Sequence, residues 1–231
     1  MKSKTAVFRA DLHVHTCCSF DSLAAPKDVL AAAVKKGLSA IAITDHNEIA
    51  GALEAAEIAR KKKLPLQVIM GEEVSTDRGD LLVYFLKKRI APGSLERVLS
   101  EVKAQNAVCS AAHPYDKIRH GIQLENLKPS LLEKIDAIEA FNARVTIPSH
   151  NARALEFAQK HGKAVFAGSD AHHPLEVGAA AVEFAGIRRL DRKSLVLASR
   201  VIKAKLSSPL VHFLSRYAVL RKKIRRAKKS S

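Results

Sequence analysis

The chain has 231 residues, 47% of them hydrophobic, and a formal net charge of +16. This length fits one α/β domain, and the apolar content excludes a chain that is disordered throughout. The three cysteines do not make a disulfide framework and favour a reducing compartment, and no apolar run reaches the roughly 18 residues of a membrane-spanning helix. We therefore expect a cytoplasmic protein with no membrane span.

The positive charge is unevenly distributed along the chain. After Lys205 there are eight lysines or arginines and no acidic residue, which leaves about +8 on residues 1–205. That body is still basic, which favours anionic partners such as phosphate esters or nucleic acid. We predict a folded domain over residues 1–205 and a basic amphipathic helix or tail over residues 206–231.

Apolar, β-branched runs alternate with helical patterns along the body of the chain. Predicted strands cover 7–14, 40–44, 66–74, 81–85, 107–112 and 164–168, and predicted helices cover 27–36, 49–63, 95–105 and 150–161. Shorter units cover 131–135, 137–141, 180–184 and 194–203. Repeated strand–helix alternation predicts a parallel α/β sheet, either open or closed into a barrel.

Polar side chains follow these strands at their carboxyl ends, where sites form in parallel α/β folds. His13 and His15 are two residues apart on the first strand and so share one of its faces, and Asp170 and His172 share a parity in the same way. The other candidates are His46, Glu72 and His113 at further strand ends, and Asp21 in the loop after the first strand. Mixed nitrogen and oxygen ligands in this number suit two or three divalent ions such as Zn, Mn or Fe.

For each residue taken alone, the alternative is that it has no role in binding a metal. A histidine after a strand is most often a solvated loop residue, and one His-x-His pair is weak evidence for a metal. Because such residues end five of the strands, we favour a shared metal site.

Together the strand-end motifs resemble those of the PHP domain family, which is named for polymerase and histidinol phosphatase. The matching segments are 11–16 (DLHVHT), 19–22 (SFDS), 44–47 (TDHN), 71–73 (GEE), 113–114 (HP), 139–142 (EAFN) and 168–172 (GSDAH). The resemblance implies a distorted (β/α)7 barrel, related to the TIM barrel, with a trinuclear metal site and phosphoesterase activity.

The resemblance also implies a role for each ligand. His13 and His15 would bind one ion, with Asp170 nearby, and Glu72 would bridge that ion to a second one. His113 would bind the second ion, and Asp21, His46 and His172 would bind the third. His150 is a further ligand candidate, because many relatives supply another histidine in this part of the chain; the alternative is a polar residue near a helix start.

Within the family, the run 11–22 is similar to members that act on nucleoside 3′,5′-bisphosphates and on the 5′ ends of short RNA. The stretch from Glu72 to His113 is too short for the subdomain that those members insert. We expect hydrolysis of a phosphomonoester or terminal phosphodiester of a nucleotide or short oligonucleotide, by attack of hydroxide formed at the metals. His13, His15, Glu72 and Asp170 would form the catalytic core of the site.

Three further sets of residues would assist the metals. Arg144 is the first choice for binding substrate phosphate, because its guanidinium can hold two oxygens at once. Weaker candidates for that role are Lys117, Arg119 and His120. Asp11 and Asp45 would orient the ligand imidazoles.

Two other functions stay open at the level of sequence. One is a histidinol-phosphate-type phosphatase, and the other is a non-enzymatic, metal-bearing module that binds nucleic acid. In the tail, apolar residues at helical spacing alternate with cations. This pattern fits a helix docked on the barrel with a solvated cationic face, a nucleic-acid contact or a membrane-surface helix.

Overall fold

The computed structural model describes residues 7–197, 200–208 and 210–230, and it places nine strands in a single sheet with seven helices around it. The strands are β1 (Phe8–Val14), β2 (Ala40–Ile43), β3 (Gln67–Thr76), β4 (Gly79–Tyr84), β5 (Val108–Ala111), β6 (Ala137–Asn142), β7 (Ala164–Gly168), β8 (Ala180–Phe184) and β9 (Arg200–Ala204). The helices are α1 (Pro26–Lys35), α2 (Ala50–Lys61), α3 (Leu95–Ala104), α4 (Pro129–Leu132), α5 (Ser149–Lys160), α6 (Arg192–Leu197) and α7 (Val211–Ser230). No helix within these ranges is long and apolar enough to cross a membrane.

The sheet runs in the order β7-β6-β5-β4-β3-β2-β1-β8-β9 and curls into a nearly closed barrel. The barrel closes between the segment after β7 and the end of β1, where Asp170 N donates to His13 O at 2.7 Å and His15 N donates to Ala171 O at 2.8 Å. Strands β8 and β9 continue the sheet beyond β1. The predicted distorted barrel is thereby confirmed. The closure lies among the predicted metal ligands, so the same backbone that shuts the barrel also positions the site.

The strand–helix alternation predicts a parallel sheet, but the observed sheet is only partly parallel. β1, β2 and β3 are parallel, and so are β5, β6 and β7, but β4 lies antiparallel between β3 and β5. A tight turn at Gly79, whose φ is 123°, joins β3 directly to β4 and leaves no room for a crossover helix. β8 is also antiparallel, to both β1 and β9.

The segment predicted as one unit over 194–203 contains two elements instead. α6 ends at Leu197, and β9 begins at Arg200 and pairs with β8. Residues 198 and 199 of that prediction lie outside the described residues.

The core has an inner layer inside the barrel and outer layers beneath the helices. On β2 the alternation is plain, because Ala40 and Ala42 belong to the inner cluster while Ile41 and Ile43 pack with α1 and α2. Both faces of the strand are therefore apolar, as is typical of a sheet covered on both sides.

A bulge in β1 turns its histidines towards the barrel interior. Ala10 pairs with Ala40 on the inner side, but the register shifts after Asp11, and Val14 pairs with Ile43 on the helix side. Strict alternation from Ala10 would have pointed residues 13 and 15 outward. Because the bulge inserts a residue, both imidazoles face the barrel mouth instead.

Helix α2 lies unusually close to the loop that follows β1. A Cβ on Gly51 would lie 2.1 Å from Asp45 Oδ2 and 2.2 Å from Thr16 Oγ1. These two side chains are themselves joined, since Thr16 Oγ1 donates to Asp45 Oδ2 at 2.7 Å. Only glycine fits at this crossing of the helix and the hydrogen-bonded pair.

We expect Gly51→Ala to lower the free energy of unfolding by about 1–2 kcal/mol, because overpacking outweighs the better helix propensity of alanine. Urea denaturation would measure the change. Glu54→Ala, on the exposed face of the same helix, is the control and should shift stability by less than about 0.5 kcal/mol. A Gly51→Ala protein at least as stable as the wild type would contradict the close packing.

Candidate metal centre

The barrel mouth gathers imidazoles and carboxylates from six strand ends and one loop. The predicted residues that meet there are His13, His15, Asp21, His46, His113, Asp170 and His172, joined by Glu73 and Asp80. They form three groups able to hold an ion, of which the first two share His15: His15, His46 and His172; His13, His15 and Asp170; and Glu73, Asp80 and His113. Within each group the potential ligand atoms lie within 4.8 Å of one another.

The group formed by His13, His15 and Asp170, which Glu73 also approaches, is the most tightly convergent. His13 Nε2 lies 3.0 Å from His15 Nε2 and 3.2 Å from Glu73 Oε2, and His15 Nε2 lies 3.3 Å from Asp170 Oδ1. All four side chains are completely buried. Two imidazole nitrogens and two carboxylate oxygens thus lie close enough together to contact one small ion.

The group formed by His15, His46 and His172, with Asp21 beside it, lies nearer to solvent. His172 Nε2 is 2.9 Å from Asp21 Oδ2, and His46 Nε2 is 3.6 Å from the same oxygen. The ring of His15 lies 4.5 Å from that of His46 and 4.2 Å from that of His172, measured between centroids. His15 therefore belongs to both groups.

The third group is centred on Glu73. His113 Nε2 lies 2.8 Å from Glu73 Oε1, and Asp80 from β4 completes the group. Asp80 was not among the predicted ligands; its only signal was its place in the turn 77–80 after β3. Because β4 runs antiparallel, its first residues rather than its last reach the barrel mouth.

Glu73, and not the predicted Glu72, points into the cluster. The carboxylate of Glu72 instead accepts a hydrogen bond from Ile90 N at 2.8 Å and lies 3.9 Å from Arg89 Nε. Adjacent residues on a strand face opposite sides, and Ile69, two residues before Gly71, is on the inner side of β3. Glu72 therefore faces outward, and the acidic residue of the cluster is shifted by one position.

Further carboxylates and a serine orient the imidazoles from behind. Glu139 Oε1 lies 2.9 Å from His13 Nδ1, while its Oε2 accepts from His113 N. Ser19 Oγ lies 2.9 Å from His15 Nδ1 and donates to Asp45 Oδ1 at 2.7 Å. Such contacts fix which ring nitrogen is free to face the cluster. Asp45 thus acts on an imidazole only through Ser19.

The predicted orienting role of Asp11 is not observed. Its carboxylate accepts from the backbone N–H groups of Ser169 at 2.9 Å, Gly178 at 2.8 Å and His13 at 3.4 Å, and it contacts no imidazole. Asp11 faces away from the mouth because it precedes the bulge. Asp11 lies on β1, and its role is to hold the chain segment after β7 against that strand.

Charges in the cluster stabilise one another against the cost of burial. Burial would lower the pKa of His13, but the carboxylate of Asp170 helps to hold it well above its ordinary value. Burial also opposes protonation of His46, yet Glu73 and other acids raise its pKa to about 9. Burial lowers the pKa of His172 to about 3, so this imidazole is neutral and its nitrogen free to bind a metal at neutral pH.

Several buried polar atoms in the cluster have no hydrogen-bond partner among the described residues. They are Asp21 Oδ1, His113 Nδ1 and Asp170 Oδ1. The backbone is also strained here, because His113 and Asp170 have positive φ values of 25° and 54°. Unsatisfied buried donors and acceptors are costly, so their concentration among nitrogen and oxygen ligands fits divalent cations.

The structure separates the remaining predicted residues. Arg144 is buried beside the cluster, where its Nη1 donates to Asp170 O at 3.4 Å. Arg119 reaches closer, since its guanidinium pairs with the Asp170 carboxylate and donates to Asn142 Oδ1 at 3.2 Å. His150 lies in the first turn of α5 and belongs to none of the three groups found among the described residues.

Replacing Glu73 and Glu72 separately would test which carboxylate faces the cluster. We expect Glu73→Gln to weaken Mn²⁺ or Zn²⁺ binding by about tenfold or more, because it removes a charged oxygen from the centre of the site. Glu72→Gln is the matched control and should bind metal like the wild type. Calorimetric titration of the metal-stripped proteins would measure both; weaker binding only in Glu72→Gln would contradict the geometry.

Comparison with known proteins agrees with this architecture. A model of the PHP domain matches residues 11–169, and one described as PHP-associated matches residues 148–199. An uncharacterized protein from Methanocaldococcus jannaschii is 34% identical over 181 residues, which cover 76% of this chain and 70% of that protein. An error-prone DNA polymerase from Aromatoleum aromaticum is 34% identical over 92 residues, 39% of this chain but only 9% of the polymerase.

A solved structure shows the same fold over a longer span. It is a two-domain protein from Bacteroides vulgatus that contains a predicted PHP-like metal-dependent phosphoesterase, with a TM-score of 0.70 and 18% sequence identity. The match covers 87% of this chain and 65% of that one. Because the PHP domain match covers residues 11–169, which is more than half of the chain, the chain belongs to the PHP domain family.

Proposed function

We propose that the chain is a metal-dependent phosphoesterase that hydrolyses a phosphomonoester or terminal phosphodiester of a nucleotide or short oligonucleotide. The observation that carries the proposal is the convergence of buried imidazoles and carboxylates, some without partners, at one barrel mouth. Membership of the PHP domain family and the fold shared with the Bacteroides vulgatus protein support the same activity.

The ligand set has room for two or three ions. His13, His15 and Asp170 would hold one, His15, His46, His172 and Asp21 another, and Glu73, His113 and Asp80 a third. Zn, Mn and Fe all accept such mixed nitrogen and oxygen ligands. When bound, divalent ions lower the pKa of water and offset the charge that develops on phosphoryl oxygens.

Two arginines add positive charge next to these ligands. Arg119 and Arg144 line one cavity with Asp21 and His172, so a phosphate reaching the cluster would pass both guanidinium groups. Arg144, the first candidate for binding phosphate, and Arg119, a weaker candidate from the sequence, are therefore both proposed to bind the phosphate. The two donors of a guanidinium suit the oxygens of a phosphoryl group that is being transferred, because its negative charge is spread over three oxygen atoms.

Direct attack by water fits the rest of the site better than a covalent intermediate. Cys17 and Cys18 are the cysteines nearest to the cluster, and partial burial raises the pKa of both thiols. A raised pKa leaves less thiolate, and thiolate is the nucleophilic form. The residues of the mouth are instead imidazoles and carboxylates, which bind cations and move protons.

The two alternative functions differ in what the same cluster would do. A histidinol-phosphate-type phosphatase would use it on another phosphomonoester, so a panel of adenosine 3′,5′-bisphosphate, a 5′-phosphorylated oligonucleotide and histidinol phosphate separates the substrate classes. A non-enzymatic module would bind nucleic acid and hydrolyse none of them. Three neighbouring ligand groups favour catalysis, because binding alone does not require several ions.

Hydrolysis of p-nitrophenyl phosphate with Mn²⁺ tests the activity itself. We expect turnover that is abolished by a chelator, restored by added Mn²⁺ and reduced at least about a hundredfold in His13→Ala, which removes a ligand at the tightest point of the cluster. His161→Ala is the control, because that histidine is exposed and stacks only on Phe157. Equal rates in the two variants, or no turnover by the Mn²⁺-loaded wild type on any member of the panel, would sink the proposal.

A further inference from the structure

A cavity of about 360 Å³ opens directly onto the metal centre. Its lining includes Asp21 and His172 from the cluster, the guanidinium groups of Arg119 and Arg144, and residues of helix α7. Pockets that hold small molecules commonly measure about 300–1,000 Å³. The cavity therefore has room for one compact ligand whose reacting end touches the cluster.

Helix α7 is held against the barrel by two cationic side chains, Arg144 and Lys222. Arg144 Nη2 donates to Ser215 Oγ at 2.9 Å and to Val211 O at 3.3 Å. Further along the helix, Lys222 Nζ donates to Cys17 O at 2.7 Å and also to Ser19 O. These backbone oxygens belong to the loop between His15 and Asp21, so the helix and the ligand-bearing loop are held together.

The helix face that meets the barrel mixes apolar and polar residues and is not a continuous apolar stripe. Its less exposed residues are Val211, His212, Ser215, Ala218, Val219 and Lys222, which recur at helical spacing. The large apolar residues are exposed instead, as Phe213 and Tyr217 show. Two polar residues of this face, His212 and Ser215, line the cavity together with Val219.

The cations around the cavity differ in what they already bind. Arg119 is paired with Asp170, and Arg144 holds Ser215 and lies 3.5 Å from Glu176 Oε1. Arg216 also lines the cavity, but it makes no hydrogen bond or ion pair with any described part of the chain. One full positive charge at the cavity rim is therefore uncommitted.

We propose that α7 is a wall of the substrate cavity and that Arg216 binds a second anionic group on the substrate, remote from the phosphate that is hydrolysed. This inference rests on the proposed phosphoesterase function. The contact with Arg216 favours compact phosphomonoesters that carry another phosphate or a carboxylate over phosphomonoesters that carry no second anionic group. Because Arg216 lines the same cavity as Asp21 and His172, one compact substrate can contact both the cluster and this guanidinium.

Three substrates that differ only in the second group test this selectivity: phenyl phosphate, 3-carboxyphenyl phosphate and 4-carboxyphenyl phosphate. In the Mn²⁺-loaded full chain, we expect at least one carboxylated ester to have a lower KM than phenyl phosphate. Arg216→Ala should raise that KM about tenfold, with kcat and the KM of phenyl phosphate little changed. Arg216→Lys, which keeps the charge, should recover part of the preference.

Arg221→Ala is the matched control, since Arg221 is exposed on the same helix and does not line the cavity. A merely structural role for Arg216 would weaken all three substrates alike, and that result overturns the inference. So does a KM ratio in Arg216→Ala equal to that in Arg221→Ala, or a wild type without preference for either carboxylated ester.

A wild type that hydrolyses none of the three esters would count against the proposed function, and binding would then decide the inference separately. Calorimetric titration of the metal-free proteins with inorganic pyrophosphate is the probe. About tenfold weaker binding by Arg216→Ala than by the wild type and Arg221→Ala supports the inference. Equal affinities in all three proteins overturn it.

Discussion

The structure depends on the neutralisation of a dense set of buried charges at the barrel mouth. Glu73 lies at the centre, within 3.3 Å of ring nitrogens of His13, His15, His46 and His113. Burial would raise the pKa of this carboxyl group, but the surrounding histidines hold it well below its ordinary value. Isolated charges of this kind would be prohibitively costly in the interior, so each side chain requires the others to be in place.

Features of the backbone that look irregular serve this requirement. The bulge in β1 turns His13 and His15 inward, and the positive φ values of His113 and Asp170 aim those residues at the same point. Gly168 at the end of β7 leaves the space that His13 occupies, because a Cβ there would lie 2.2 Å from the Cβ of His13. Strain and close approach are concentrated where ligands must converge, and the surrounding barrel holds them in position.

The sequence predicts which strand ends carry the cluster more securely than which side chains point into it. Parity places His13 and His15 together, but parity alone would have sent them outward, and the bulge has no clear signature in the sequence. At Glu72 and Glu73 the preceding residues Val68, Ile69 and Met70 are all apolar, so hydrophobic alternation cannot distinguish the two faces of β3. The choice between adjacent glutamates is made by the tertiary fold.

The missed residues share a different cause. Asp80 reaches the mouth because β4 is antiparallel, and an expectation of parallel strands looks for ligands only at strand carboxyl ends. Glu139 lies on β6 inside a recognised motif, yet its contact is with the back of the His13 ring and the backbone of His113. Orienting contacts of this kind depend on distances across the barrel, which the spacing of residues along a chain does not encode.

The basic C-terminal segment shows how charge acquires meaning only from its position. All of its cations are lysines or arginines of one helix, but their surroundings differ. Lys222 holds the loop between His15 and Asp21, Arg216 lies at the rim of the cavity, and Arg221 faces solvent. A uniform cationic face would attract any polyanion, with strong dependence on salt. Here the cations are divided between an anchor, a cavity rim and a solvated face, so their total charge does not describe what each of them contacts.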